Sequence, residues 1–424
     1  MKIGKALKVD DIPTKFLKMA KTVLAPFLSV VFNKFMVKGV YANSLKVAQV
    51  IPIRKKRDKN ECTNYRPISL LSQVNKIFER ILHHRLYSYL QDFELLTGHQ
   101  FGFRPNTSTS LAVESIYPDL LHNYDTGLFT CSLFIDLSKA FDTVSHNILI
   151  KKLHQNYGLN ETALQLFTSY LTNRKQYTVV NGAKSNYRNI ACGIPQGSTL
   201  GPLLFIMYIN DLPLCSKFKT VLFADDTYLS LSHSILSTLQ SMVNNELLKV
   251  HDWISLNKLS INYAKLMYLL TGKKVQSNLA EEFLVRWGNH QIKREQSVKY
   301  LGVIVDEKLN WSSHLKQIET KLALASSVIY KTRNSLPLNT LKLLYYSFAY
   351  KHLSYCVTAW GSATTSHLKP IYVQQNNILR NMTFSNYDDN MSTVGLFANK
   401  YITLNHEWNI TGNYAVRMHK TLKH

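Results

Sequence analysis

The tetrapeptide Phe223-Ala224-Asp225-Asp226 lies between two apolar, β-prone runs, residues 218–222 and 227–231. This pattern predicts a β-hairpin with two adjacent carboxylates at its turn. Neighbouring aspartates repel each other and are costly to desolvate, so an apolar hairpin that ends in them favours a bound cation. The alternative is a solvated turn, because aspartate is common at turns.

A third carboxylate, Asp136, ends another β-like run, Cys131 to Ile135. If the strands bring Asp136 beside Asp225, the acids form an oxygen-lined site suited to Mg²⁺ together with substrate phosphates. This constellation is typical of nucleotidyl transfer.

The charge of the chain indicates a polyanionic partner. Its 424 residues are enough for two or three domains, and 50 Lys plus Arg against 27 Asp plus Glu give a formal net charge of +23. A cationic surface of this size attracts nucleic acid through counterion release, with an anionic membrane surface as the lesser alternative.

The five cysteines lie far apart, without a CxxC pair or a spacing that joins them to histidines as zinc ligands. They are therefore expected to be reduced in a cytosolic or nuclear protein. The apolar stretch Val23 to Phe32 is too short to cross a bilayer. We expect no signal peptide, no membrane span and no membrane partner.

Hydrophobic periodicity predicts amphipathic helices interrupted by Pro26 within residues 1–50, then a strand at Val50 to Ile53 that leads into the basic turn 54–59. Further helices are predicted at Gln73–Gln91, Asn147–Leu171 and Leu236–Leu256, and again after a domain boundary near residue 312, at 315–334, 339–355 and 367–382. A strand, the turn Asn181-Gly182 and a second strand are predicted over 177–192.

Several segments match one family in order and spacing. They are Asn64-Tyr65-Arg66-Pro67-Ile68-Ser69-Leu70, His99-Gln100-Phe101-Gly102-Phe103-Arg104, Phe134-Ile135-Asp136-Leu137-Ser138-Lys139-Ala140-Phe141-Asp142, Gly193-Ile194-Pro195-Gln196-Gly197-Ser198-Thr199-Leu200-Gly201-Pro202, Phe223-Ala224-Asp225-Asp226 and Tyr300-Leu301-Gly302. Over roughly residues 10 to 385 the chain resembles the reverse transcriptase domain of non-LTR (LINE-type, jockey-like) retrotransposons.

The resemblance implies an α+β fold of the right-hand polymerase type, with fingers, a palm built on an antiparallel sheet, and a helical thumb. The implied boundaries are 1–125 for the fingers with an N-terminal helical extension, 126–311 for the palm with inserted fingers elements at about 145–192, and 312–385 for the thumb. Residues 386–424 form a tail of unknown role.

The resemblance also implies two-metal nucleotidyl transfer with Mg²⁺, or Mn²⁺ as an alternative. Asp136 and Asp225 would bridge the metals, Asp226 would support the primer-side metal, and Leu137 would lend a backbone carbonyl. Lys265 stands where a lysine could protonate the leaving pyrophosphate, with a solvated lysine as the alternative. The family usually has threonine next, and this chain has Leu266.

The residues implied to contact the incoming nucleotide are Lys55, Lys56, Arg66, Phe141, Gln196 and Gly197. Arg66 and one of the two lysines would meet the triphosphate. Phe141 would clash with a 2′-hydroxyl and so favour dNTPs, the alternative being a core phenylalanine. Gln196 and Gly197 lie in a turn whose glycines permit close approach of the backbone to substrate.

The implied contacts to nucleic acid are Arg104 and a primer grip at Tyr300-Leu301-Gly302. Arg104 would contact template phosphates or the fingers core. Lysines of the helical thumb, Lys316, Lys321 and Lys331, would track the duplex, although lysines on a helix face are usually only solvated.

The implied function is RNA-directed DNA polymerase activity on an RNA template and a DNA primer with dNTPs, in a cytoplasmic ribonucleoprotein and the nucleus. One departure from the family is Val9-Asp10-Asp11-Ile12-Pro13, where the family often has Pro-Asp-Gly-Ile-Pro. We also expect the endonuclease of the parent polyprotein to be absent from this chain. The alternatives are a catalytically inactive, nucleic-acid-binding remnant and a group II intron maturase.

Overall fold

The structure, a computed structural model, describes residues 12–55, 58–275 and 283–385. The chain divides into two compact units. The first unit comprises the chain up to Asn106, Ile135–Thr227 and Asn245–Lys265. The second unit comprises Thr107–Phe134, Tyr228–Asn244 and the chain from Leu266. The N-terminal departure at residues 9–13 lies mostly outside the described residues, as does the tail from 386.

The described helices are α1 Thr14–Met19, α2 Lys21–Lys38, α3 Gln73–Asp92, α4 Thr109–Glu114, α5 Tyr117–Asp125, α6 Ala140–Thr143, α7 His146–Gln155, α8 Glu161–Leu171, α9 Gly201–Tyr208, α10 Leu236–Leu256, α11 Ser312–Thr332, α12 Leu338–Tyr345, α13 Lys351–Ser354, α14 Val357–Trp360 and α15 Thr365–Thr383.

The described strands are β1 Val47–Arg54, β2 Tyr65–Leu70, β3 Phe129–Asp136, β4 Arg174–Val180, β5 Ala183–Lys184, β6 Arg188–Ile190, β7 Lys219–Phe223, β8 Asp226–His233, β9 Met267–Thr271, β10 Arg286–Trp287, β11 His290–Gln291, β12 Lys293–Arg294, β13 Ser297–Tyr300 and β14 Val303–Asp306.

The predicted acidic hairpin is present. Strand β7 ends at Phe223 and β8 begins at Asp226, so the turn consists of Ala224 and Asp225. Ala224 adopts a φ of 56°, in the left-handed region that a residue with a β-carbon seldom occupies. The two apolar runs around the turn are mostly buried as strands. Their burial is what fixes the two carboxylates at one end of the hairpin.

The sheet that carries the hairpin has the strand order β12-β9-β3-β8-β7. Strand β3 is buried along its length except at Asp136, its last residue, and it pairs antiparallel with β9, Cys131 opposite Leu270. The division between the two units falls within β3, β8 and α10. Thr130 and Ser132 are buried as well as the apolar residues beside them, so this strand is covered on both faces although its sequence alternates there.

The first unit has a second sheet, ordered β2-β1-β4-β5, with β6 also paired to β4. Strand β1 is antiparallel to β2, with Ile53 opposite Arg66, and parallel to β4. Helix α3 buries Phe78, Leu82, Leu86 and Leu90, which are spaced four residues apart, as one face of a helix requires.

Helix α2 packs on α3, with the rings of Phe32 and Phe78 stacked at 4.7 Å between centroids.

The predicted interruption at Pro26 is wrong, because α2 runs through Pro26 and the break in the helix falls at Ala20. Proline removes one hydrogen bond to the carbonyl four residues earlier, here that of Thr22. Thr22 is exposed, so water can bond that carbonyl and the helix continues.

The helix predicted from Asn147 to Leu171 is two helices, α7 and α8. Between them Gly158 has a φ of 65°, a left-handed conformation that ends a helix and that glycine adopts without strain. The other main predictions are confirmed, since β1 contains Val50 to Ile53, α3 covers Gln73–Gln91 and α10 spans Leu236–Leu256.

In the second unit, β13 and β14 form a hairpin whose turn residues Leu301 and Gly302 have φ values of 45° and 90°. After Trp311 the described chain is helical, as predicted, from α11 to α15. Mixed helices and largely antiparallel sheets confirm the α+β class. No helix among the described residues is long and apolar enough to span a membrane.

Candidate active site

Three carboxylates of the first unit stand where neighbouring strands end or begin. Asp136 closes β3, Asp225 lies in the hairpin turn and Asp226 opens β8. The backbone N–H of Leu137 donates to the carbonyl of Asp225 at 3.4 Å, so the chain after β3 touches the turn directly. The structure therefore brings together the four residues expected to hold metal.

Both carboxylate oxygens of Asp136 are bonded by the segment that follows α10. Asn262 Nδ2 donates to Oδ2 at 3.0 Å, and Lys265 Nζ donates to Oδ1 at 2.9 Å. The backbones are also joined, with Asn262 N–H donating to the Asp136 carbonyl at 2.9 Å and Ser138 N–H to the Ser260 carbonyl at 2.7 Å. Lys265 was predicted at this site from the sequence, and Asn262 was missed.

Burial and mutual repulsion disfavour ionisation of the acids. Desolvation, followed by the charges of Asp225 and Asp136, raises the pKa of Asp226 to about 6. The pKa of Asp225 is also raised, mainly by desolvation and further by Asp136, while Lys265 and Arg66 act in the opposite direction. A cation bound here would offset both effects, because opposite charge favours the ionised form.

The donor chemistry fits a hard divalent cation, because the candidate ligands are carboxylate and carbonyl oxygens. Within the described parts of the chain, however, no three His, Cys, Asp or Glu side chains converge as a ligand cluster. Within those parts, the ammonium group of Lys265 forms an ion pair with Asp136 at 2.9 Å. The site thus has oxygen ligands that suit a divalent cation, and the positive charge of Lys265 balances the negative charge of Asp136.

A glutamine clamps the acidic turn from the neighbouring loop. Gln100 is 2% exposed, and its Oε1 accepts from the backbone N–H groups of Gly102 at 2.7 Å and Ala224 at 3.1 Å. A β-carbon at Gly102 would lie 2.2 Å from the Ala224 nitrogen. The sequence motif gave no role to Gln100, although the glycine at 102 was a signal of a close backbone approach.

The candidate phosphate-binding residues lie at the β1–β2 end of the first unit. Arg66 is exposed on β2, and its charge offsets a small part of the rise that desolvation causes in the pKa of Asp225. Lys55 is exposed, and its backbone N–H donates to the Asn64 carbonyl at 2.7 Å. Lys56 lies outside the described residues.

The Pro-Gln-Gly turn docks on β2 through its backbone. The carbonyl of Gln196 accepts from the Ser69 N–H at 2.7 Å. Gly197 has a φ of 116°, and a β-carbon there would lie 2.8 Å from the Ser69 carbonyl oxygen. Glycine is thus required at 197 for packing of the turn within the protein.

A fully buried glutamate holds the chain just after this turn. Glu79 of α3 is 0% exposed. Its Oε2 accepts from the Thr199 N–H at 2.6 Å and its Oε1 from the Tyr170 hydroxyl at 3.0 Å. The sequence predicts α3 as a helix with an apolar stripe and an outer basic face. It gives no signal for Glu79, because both partners of this carboxylate lie far along the chain.

Phe141 is half-buried on α6. Its ring stacks on Phe205 with centroids 4.8 Å apart and meets Phe103 edge-on at 5.9 Å. Its backbone carbonyl accepts from the Ile194 N–H at 2.7 Å, which ties α6 to the glycine-rich segment. The ring therefore has one packed face, and it is not fully enclosed.

Two expected nucleic-acid contacts have well-defined local partners. Arg104 Nη1 donates to the backbone carbonyl of Thr97 at 2.6 Å, so it braces its own loop. In the second unit, the Leu301 carbonyl accepts from the Tyr355 hydroxyl, and a β-carbon at Gly302 would lie 3.3 Å from the Tyr355 ring. Tyr300 is 7% exposed and packs near Phe134.

An acidic pair at a hairpin turn, with a third acid at the end of the neighbouring strand, is the arrangement that the sequence motifs led us to expect. Residues 53–305 match the family described as reverse transcriptase (RNA-dependent DNA polymerase). Because this match covers more than half of the 424 residues, the chain belongs to the reverse transcriptase family. The right-hand polymerase fold expected from the motifs is the fold of this family.

Two curated relatives come from Drosophila melanogaster. "Probable RNA-directed DNA polymerase from transposon X-element" is 30% identical over 369 residues, which are 84% of this chain and 40% of that protein. "RNA-directed DNA polymerase from mobile element jockey" is 29% identical over 395 residues, 90% of this chain and 42% of that protein. The chain thus spans about two fifths of their length, and the resemblance to non-LTR elements is confirmed.

Among solved structures, the telomerase from Candida albicans in complex with a fragment of telomeric RNA is similar at 14% identity and a TM-score of 0.43. The similarity covers 91% of this chain and 68% of that one.

Proposed function

We propose that this chain is the polymerase part of a non-LTR retrotransposon and extends a primer 3′-hydroxyl with dNTPs on an RNA template. The observation that carries the proposal is the set of Asp136, Asp225 and Asp226 in one unit, within a chain of the reverse transcriptase family. The proposed organisation is fingers over 1–125, palm over 126–311 and thumb over 312–385.

The proposed metal ligands are the carboxylates of Asp136, Asp225 and Asp226 and the carbonyl of Leu137. Bound there, Mg²⁺ or Mn²⁺ supplies the charge that stabilises the attacking and leaving oxygens. Asn262 orients Asp136 through its amide. Lys265 provides a proton for the leaving pyrophosphate, and it must first exchange its ion pair with Asp136 for a contact to the substrate.

The proposed nucleotide site is formed by residues that flank these acids. Arg66 offers a forked set of donors to the triphosphate, assisted by Lys55 or Lys56. Gln196 and Gly197 border the nucleotide and template base. Arg104 and Tyr300-Leu301-Gly302 act on the nucleic acid, the glycine turn by presenting backbone to the primer.

The test is extension of a DNA primer on an RNA template with dNTPs and Mg²⁺, by the parent chain and by Asp225→Ala. Synthesis by the parent alone is the expected result. RNA binding by Asp225→Ala should stay near the parent level, because the cationic surface carries the affinity. A folded parent that binds primed RNA and makes no DNA would favour the inactive remnant.

The proposed role of Phe141 in selecting dNTPs over rNTPs is tested separately. Phe141→Ala should increase rNTP incorporation relative to dNTP, because it removes the ring that would clash with a 2′-hydroxyl. The matched control is Phe103→Ala, which removes the edge contact and leaves Phe141 in place. An rNTP:dNTP ratio that stays constant in Phe141→Ala would exclude the proposed gate.

A further inference from the structure

Helix α2 has two apolar faces, and the described parts of the chain pack against only one of them. The packed face includes Phe32, which is 2% exposed and stacks on Phe78. The opposite face points to solvent: Val23, Phe27, Val30 and Val37 are exposed by 64%, 69%, 55% and 78%. A row of apolar side chains this exposed on one helix face is typical of a surface that another element covers.

The exposed residues follow the spacing of a helix-packing seam. Val23, Phe27, Val30, Lys34 and Val37 are separated by four, three, four and three residues. This alternation is the a/d pattern of a heptad, whose 3.5-residue period keeps one stripe facing a partner helix. Pro26 lies beside this seam and outside it. The pattern therefore favours another α-helix over an irregular peptide.

The charges around the seam specify the partner further. Residues 12–40 contain no acidic residue or arginine. Lys38 lies beside the seam, whereas Lys21 lines the cleft between α2 and α3. Lys34 occupies a seam position and is exposed. A second copy of α2 in parallel would place Lys34 against Lys34, and in either direction it would supply no carboxylate, which costs free energy. A single lysine at such a position instead selects a partner that supplies a carboxylate.

We propose that the outward face of α2 docks an amphipathic α-helix with an apolar heptad seam, acidic flanks and a carboxylate opposite Lys34. Burial of Phe27 and the valines drives the association, and the acidic flanks set the specificity. The surface is remote in sequence from the carboxylates of the candidate active site, and the proposal does not depend on polymerase activity.

The test uses the full chain and three labelled synthetic peptides, with binding followed by fluorescence anisotropy at about 0.15 M salt. The first peptide has leucine at its a and d positions, glutamate at the flanks and one glutamate facing Lys34. The second has lysine at every glutamate position. The third is a scrambled form of the first, which keeps its charge without the seam, and so measures non-specific attraction to the basic chain.

The first peptide should bind at least tenfold more tightly than either of the others. Phe27→Ser combined with Val30→Ser should weaken its binding at least tenfold, and both positions are exposed, so folding should persist. The matched control, Ser29→Ala with Asn33→Ala, changes exposed residues of the same helix off the seam and should bind like the parent. Lys34→Glu should reduce the preference for the first peptide over the second.

Equal binding of the first and scrambled peptides would overturn the proposal, as would binding that ignores the Phe27 and Val30 changes. Sedimentation that shows a dimer in the parent and a monomer in the Phe27→Ser, Val30→Ser variant would assign the face to a second copy instead. Binding to phosphatidylserine vesicles without binding to the first peptide would assign it to an anionic lipid surface.

Discussion

At the scale of single residues, Asp136 depends on one short segment for its orientation. Asn262 and Lys265 each take one of its carboxylate oxygens. The charged side chain of Lys265 can exchange the Asp136 carboxylate for a phosphate. The neutral amide of Asn262 gains no comparable attraction from such an exchange. We therefore expect Asn262 to act as a positioning residue that holds Asp136 during catalysis.

Asn262→Ala should lower the primer-extension rate by about 10-fold to 100-fold, the usual effect of removing an outer hydrogen-bond partner of a metal-binding residue. The Mg²⁺ concentration for half-maximal activity should rise at the same time, which a purely structural loss would not produce. Leu256→Ala, at a side chain 77% exposed, is the control and should match the parent. An unchanged Mg²⁺ dependence in Asn262→Ala would contradict this role.

Asp226 should make stability depend on pH when divalent metal is absent. Its folded pKa is raised to about 6 by desolvation and by the charges of Asp225 and Asp136. A raised folded pKa means that the stability from this group is complete below its ordinary pKa and is lost as pH rises through about 6. Urea unfolding in EDTA should therefore show the parent losing about 2 kcal/mol relative to Asp226→Asn between pH 4 and pH 7.

Mg²⁺ should reduce this difference between parent and variant, because a bound cation stabilises the ionised carboxylate. Parallel stability profiles for the parent and Asp226→Asn in EDTA would show that Asp226 titrates normally in the folded chain.

At the scale of elements, the acidic turn is held by the loop that precedes α4. Gly102 lies against the backbone of Ala224 and Phe223, and Gln100 bonds the same turn through its side chain. The hairpin could be predicted from its own residues. The clamp could not, because it depends on two segments that are far apart in sequence.

Gly102→Ala should destabilise the chain by about 1–3 kcal/mol, because its β-carbon has to displace backbone atoms. Primer extension should fall further than stability alone explains, since the displaced atoms belong to the turn that carries Asp225. Gly98→Ala is the matched control in the same loop, because a β-carbon there meets nothing within 4 Å. Thermal unfolding and extension assays on both variants measure the contrast, and equal behaviour would refute the close packing.

At the scale of the whole molecule, the net charge of +23 should dominate affinity for nucleic acid. Binding to single-stranded RNA should weaken steeply as salt rises, since each neutralised phosphate releases counterions. Lys316 and Lys331 are exposed on α11. Changing both to alanine should reduce the slope of log K against log salt by roughly 1 for each phosphate that the protein no longer neutralises.

Asp225→Ala is the control for this experiment, because it changes the candidate active site and leaves the lysines in place. Its slope should equal that of the parent. A slope that stays unchanged in the Lys316→Ala, Lys331→Ala variant would show that these lysines are only solvated.

The sequence by itself determined the hairpin, the buried strand that ends in Asp136, most helices and the family, because each depends on periodicity or on a contiguous motif. Tertiary structure alone decided three hydrogen bonds: the Asn262 amide donates to Asp136, the Ala224 N–H donates to Gln100, and the Thr199 N–H donates to Glu79. It also decided that α2 continues through Pro26. Polar side chains that bond distant backbone leave no periodic trace, so only the folded chain reveals their partners.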